Sequence, residues 1–196
     1  MNPDRALLLL FPHEYILSDL IESQIDIKSD PDIPLQKLAA QVQQLRSECG
    51  QTYLVVVKFR KMQVQLDGAF SFKPTDVILD SGVQLRLEGL ASDDPKEPCW
   101  EPEKPDFKPI IQSLPEPEVV IGGFHWVDCV FNCFLACEEA GKRTWVAPWI
   151  TNCGFVHHGL AHLGRDVMDD LPELADFDAF AALLRHYLAI IDYPDE

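Results

Sequence analysis

Cys129 is the residue of this chain best placed to do chemistry, because of what precedes and follows it. It lies in the run EVVIGGFHWVDCVFNCFLACEEAGKRTWVAPWI, from Glu118 to Ile150. Val119, Val120 and Ile121 fit a buried strand, Gly122 and Gly123 punctuate it, and about four helical turns follow before Gly141 stops them. Arg143 to Trp149 reads as a second strand. A strand, a tight glycine turn, a helix and another strand make a βαβ unit, whose turn lies at the carboxyl end of the first strand. Ligands gather at that edge in open α/β sheets. Unpaired N–H groups and the positive end of the helix dipole there favour a thiolate over a thiol. Cys129 is therefore the predicted nucleophile.

Other reactive side chains are weighed against this one. Cys129, Cys133 and Cys137 recur every four residues along roughly one side of the helix. Their end-to-end rise of ~12 Å is too long for one ion to bind all three, so Cys133 and Cys137 are expected in the core. His157, His158 and His162 follow the second strand, and with Cys153 the last two could approach a zinc site. No Glu follows His158 as in zinc proteases, and Gly159 weakens a helix there, so no metal and no cofactor is predicted. One of these histidines could instead act as a base toward Cys129. His125 and Trp126, in the turn before the thiol, are the expected substrate contacts. Trp145 and Trp149 add aromatic surface that would suit a small planar molecule. Gly122-Gly123 has neither the dinucleotide nor the phosphate-loop pattern.

The elements that must position these groups are readable. Ala6 to Phe11 is a continuous apolar run ended by Pro12, which suits a strand buried on both faces. Leu35, Leu38, Ala39, Val42 and Leu45 recur at helical steps, with Pro34 in the first turn and Gly50 as the stop. Thr52 to Phe59 is β-branched and apolar, hence a central strand. Met62, Val64 and Leu66 alternate up to Asp67-Gly68, a hairpin signal, and Phe70 and Phe72 continue beyond it. Val77-Ile78-Leu79 and Val83 to Leu87, about Asp80-Ser81-Gly82, look like another antiparallel pair. Residues 92–117, rich in proline and acids, read as an irregular connection whose Trp100, Phe107, Ile110 and Ile111 pack on the body. Thr151 to His162 reads as a loop. Asp176 or Asp178 caps a final helix with Phe177, Phe180, Ala181, Leu184, Tyr187, Leu188 and Ile191 as its apolar stripe.

Composition bounds the answer. A chain of 196 residues suffices for one α/β domain, taken as 1–196, and 47% apolar with 24% charged residues belongs to a globular protein. A formal net charge of -16 argues against nucleic acid, which needs a basic face. The cysteines, without a secretory signal, read as reduced thiols in a cytoplasm. No apolar run approaches the ~20 residues of a membrane helix.

The run Gly123-Phe124-His125-Trp126-Val127-Asp128-Cys129-Val130 resembles the isochorismatase/nicotinamidase family of cysteine hydrolases. There a strand ends in Gly, and roughly x-x-Thr-Asp-x-Cys-Val opens a helix. Gly123, Cys129 and Val130 are in register, and Glu139-Ala140-Gly141 is also similar. Trp126-Val127 replaces the Thr-Asp pair, and Asp128 sits one place late. The resemblance implies a three-layer αβα domain with a mainly parallel central sheet. Here that sheet would carry an antiparallel hairpin or meander insertion around 62–90. It also implies a cysteine nucleophile acting on a small amide or related C–N or C–O bond, with a Lys upstream as the cation. Lys96 fits that place, with Lys104 the alternative. The family's proton-carrying Asp at the end of the first strand is replaced by Phe11, leaving the acid/base unassigned, with Glu14 nearby in sequence. Family members often form dimers or tetramers, so a homo-oligomer is compatible with the resemblance. Two readings stay open: a diverged hydrolase with a small-molecule substrate, or a catalytically inactive scaffold that binds or assembles.

Overall fold

The computed structural model describes residues 1–12, 32–59, 73–85, 105–169 and 171–192. Five strands form one parallel sheet: β1 (Asn2–Leu10), β2 (Cys49–Phe59), β3 (Val77–Leu85), β4 (Glu118–Gly123) and β5 (Arg143–Thr151), in the order β3-β2-β1-β4-β5. The helices are α1 (Asp32–Glu48), α2 (Lys108–Ser113), α3 (Phe131–Glu139), α4 (Asn152–His162) and α5 (Phe177–Asp192). This is the expected α/β fold with a parallel central sheet and helices on both faces.

β1 lies at the centre, and Ala6 to Leu10 are wholly buried because both of its faces are covered. Ala6, Leu8 and Leu10 join the larger apolar cluster, with Ile111 of α2, Phe134 of α3 and Phe180 of α5. Leu7 and Leu9 point the other way, to Leu38, Val42 and Leu45 of α1 and Phe155 of α4. Asp176 caps α5 by accepting the Ala179 N–H at 3.0 Å. Phe107, Ile110 and Ile111 pack on the body as expected, but on a short helix and not on irregular chain. Gly50, expected to end α1, lies inside β2.

The antiparallel insertion is not what the structure shows at 77–85. These residues form one strand, parallel to β2, with the register passing from Val56↔Asp80 to Lys58↔Gln84. Asp80-Ser81-Gly82 makes a bulge and not a hairpin turn: Gly82 takes φ 76° and gives its N–H to Asp80 Oδ1 at 3.0 Å. An Asp side chain holding the N–H two residues on serves a bulge as well as a turn. The hairpin expected about Asp67-Gly68 lies outside the described residues.

The amino edge of the sheet is tied by polar contacts. Glu118 accepts from Arg5 at 2.7 Å and from Trp145 Nε1 at 2.8 Å. Lys142 donates to the carbonyls of Leu114 and Glu116 at 2.7 and 2.8 Å. Arg46, in the last turn of α1, meets the Asp76 carboxylate just before β3 through two nitrogens, at 3.0 and 3.3 Å. Their side chains are nearly buried, where a bidentate pair fixes geometry as well as charge. Trp145, expected at the carboxyl edge with the other aromatics, belongs to this amino end. The carboxyl edge is thereby left for other work.

Candidate functional site

Strand order reverses between β1 and β4, because β1 leads outward to β2 on one side and has β4 on the other. Such a switch point opens a crevice at the carboxyl ends of the strands. Gly123 ends β4 opposite Leu10 of β1, and Phe124 gives its N–H to the Leu10 carbonyl at 3.1 Å. The Phe124–His125 peptide is cis. Trp126–Val130 then forms a single π-helical turn that runs into α3. The His125 carbonyl accepts from Asp128 N at 3.2 Å and from Val130 N at 2.9 Å, so Cys129 lies between two residues bonded to one acceptor.

Cys129 is half-buried and packs against the larger apolar cluster. It is therefore neither sealed in the core nor fully in solvent. Below it Cys133 and Cys137 are wholly buried, as the core reading requires. Burial drives the Cys133 thiol well above its ordinary pKa, and its hydrogen bond with Cys137 and the nearby Cys129 push the same way. Burial alone raises Cys153 strongly. These two thiols stay protonated and are poor nucleophiles.

His125 is exposed beside the turn, and desolvation by the surrounding chain lowers its pKa against the opposing pull of Asp128. The Trp126 ring, expected against a substrate, is 3% exposed and lies edge-on to Tyr187 with centroids 5.9 Å apart. Its backbone does the positional work, giving the Trp126 N–H to Asn152 Oδ1 at 2.7 Å. Phe11, at the end of β1 where the resemblance would have an Asp, is 4% exposed with its ring 6.4 Å from that of Phe107. Lys96, Lys104 and Glu14 lie outside the described residues.

The stretch expected as a loop after β5 is the helix α4. Thr151 caps it by accepting the Cys153 N–H at 3.1 Å. That helix turns His157 inward, where its Nδ1 pairs with the Tyr187 hydroxyl of α5. The Trp149 ring lies edge-on to His157 and tilted against His158, with centroids 5.4 Å away in each case. Lys37 of α1 holds its ammonium 4.6 Å from the Trp149 ring centre. Sequence reasoning found the histidines but not Tyr187 as the partner of His157, nor Asn152 as the partner of the Trp126 N–H. Among the described residues no group of three or more His, Cys, Asp or Glu side chains could hold a metal ion.

Desolvation, and secondarily Lys37, lowers the pKa of both His157 and His158. The neutral forms are thus favoured in the folded chain. As pH falls below about 6.5 the unfolded chain takes up protons that the folded one resists, so stability drops. Melting temperature should fall more steeply between about pH 7.5 and about pH 5.5 in the native protein than in the double variant His157→Gln with His158→Gln. Both proteins carry the same acidic surface, so the difference isolates the two rings; parallel curves would refute the assignment.

No protein-family model matches the sequence, and no curated protein matches it. Among the described residues no helix is long and apolar enough to cross a membrane. Solved structures do match in shape. An isochorismatase from Pseudomonas putida KT2440 is 10% identical over 98% of this chain and 88% of its own, with a TM-score of 0.44. The nicotinamidase from Staphylococcus aureus is 12% identical over 87% of this chain and 100% of its own, with a TM-score of 0.44. N-carbamoylsarcosine amidase from Thermoplasma acidophilum is 12% identical over 85% of this chain and 98% of its own, with a TM-score of 0.45. The chain is thus similar in structure to isochorismatase-family proteins and nicotinamidases.

Proposed function

We propose that this chain is a hydrolase of small amides, or of related C–N or C–O bonds, with Cys129 as the nucleophile. The observation that carries the reading is the place of the thiol: half-buried, in the first turn after β4, at the point where strand order reverses. In the reaction the thiolate adds to the carbonyl carbon and the carbonyl electron pair moves to oxygen, for which the family resemblance assigns backbone N–H groups near the nucleophile as the donors. The C–N bond then breaks, the amine leaves with a proton, and water releases the acid from the thioester. His125, exposed beside the turn, is the proposed substrate contact. Lys96 is assigned as the cation beside the thiolate on the sequence resemblance alone.

A second reading, an inactive scaffold, is favoured by the buried Phe11 ring in the place of the proton carrier. Losing such a group typically forfeits about 10²–10⁴ in rate. The two are separated by measuring ammonia release from a panel of small primary amides with the native chain and with Cys129→Ala. Turnover that falls on the order of 10⁴-fold or more in the variant supports the hydrolase. Turnover that survives the substitution removes Cys129 from the mechanism, and none from either protein favours the scaffold.

A further inference from the structure

Asn152 is 1% exposed, and its Oδ1 accepts the Trp126 N–H at 2.7 Å across the gap between β5 and the turn that follows β4. Its position at the head of α4 would ordinarily make it a capping residue. That task is done by its neighbour: Thr151 accepts the Cys153 N–H at 3.1 Å and gives its own hydroxyl proton to the Pro148 carbonyl at 2.8 Å. The Asn152 amide is thereby released to reach the adjacent strand's turn. Trp126 opens that turn, and its N–H is one of the first-turn donors that a helix leaves without an internal partner.

We infer that Asn152 is a positioning residue for the Cys129 thiol. The inference rests on the reading of Cys129 as the nucleophile. The turn is held at its start by Asn152, through Trp126 N, and closed by the His125 carbonyl, through Asp128 and Val130. Cys129 sits between those closing bonds, three positions beyond the one Asn152 holds. Without Asn152 the start of the turn can swing, and the position and exposure of the sulfur three residues on go with it.

The test is the rate at which iodoacetamide alkylates Cys129 in the folded chain, followed by mass spectrometry as pH is varied. Asn152→Ala removes the acceptor, Asn152→Leu removes it while keeping volume, and Thr151→Ala damages the same helix start without touching Trp126. In both Asn152 variants the rate at neutral pH should fall about tenfold, with the midpoint of the pH profile rising by about one unit. Thr151→Ala should leave the profile unmoved. If the native thiol reacts no faster than an unstructured cysteine, the nucleophile reading itself fails. If it is activated and the Asn152 variants match it, the inference fails while the nucleophile stands. A profile that shifts equally in Thr151→Ala, or Asn152 variants that do not fold at all, would make Asn152 a folding residue and overturn the inference.

Discussion

Gly123→Ala is expected to cost the protein its folded state, or at least about 4 kcal/mol of its stability. Gly123 takes φ 100°, a conformation that a Cβ strains, and the space is also closed. A Cβ built there would lie 2.1 Å from the Leu10 oxygen and 2.5 Å from the Leu10 nitrogen. Those atoms belong to the backbone of the central strand, and the same oxygen receives the Phe124 N–H. No rotamer change can relieve the clash. Gly122→Ala is the informative comparison, because its nearest contact is Ile150 Cδ1 at 2.2 Å, the end of a flexible side chain. Urea unfolding should show Gly122→Ala folded and measurably weakened, and Gly123→Ala unfolded or insoluble. A Gly123→Ala protein within about 1 kcal/mol of native would show that β4 does not pass β1 as closely as the structure has it.

The close passage explains why this part of the chain is readable from sequence. Ala6 to Leu10 announce a strand covered on both faces because burial on both sides removes every reason for alternation. Leu38, Val42 and Leu45 announce a helix lying on that strand because only one side of it is dry. The place of Cys129 follows from strand, glycines and helix in that order, and each of these is local. β3 reads wrongly as a hairpin because Asp, Ser and Gly in succession serve a bulge and a hairpin equally, and the deciding information lies in β2, not in the segment. α4 reads wrongly as a loop because its glycines and histidines argue locally for one, while Thr151 supplies a cap and the sheet supplies a surface to pack on.

Longer reach defeats sequence reading altogether. The Asn152 bond to Trp126 spans 26 positions, and the pairing of His157 with Tyr187 spans 30. Neither residue type at either position suggests the other. The first follows from the parallel connection, which brings the turn after β4 and the start of α4 to one edge, and the second from the packing of α5 against α4. The opposite edge is locked by Arg5, Glu118 and Trp145, so the sheet separates a braced end from an end built around a thiol.

Phe11→Asp would place a carboxylate where the resemblance calls for one, and it is expected to destabilise the protein severely. The ring it removes is 4% exposed and packs on Phe107, and losing a buried Phe costs about 3–5 kcal/mol before any charge is considered. One effect opposes this: residue 11 has φ 49°, which Asp tolerates better than Phe. That relief is worth at most about 1–2 kcal/mol, so the lost ring wins. The new carboxylate also meets apolar surroundings, which raise its folded pKa above the unfolded value near 3.9. The penalty is then smallest below that unfolded value and grows as pH rises through the folded pKa. At about pH 7.5 the melting temperature should fall by roughly 6–20 °C relative to native. At about pH 5.5 the gap should narrow, whereas Phe11→Leu should show a small gap that pH does not change. If Phe11→Asp proves as stable as Phe11→Leu at both pH values, the carboxyl end of β1 accommodates a charge. The inactive-scaffold reading would then lose the one observation that favours it, and ammonia release by the Phe11→Asp variant would be the next quantity to measure.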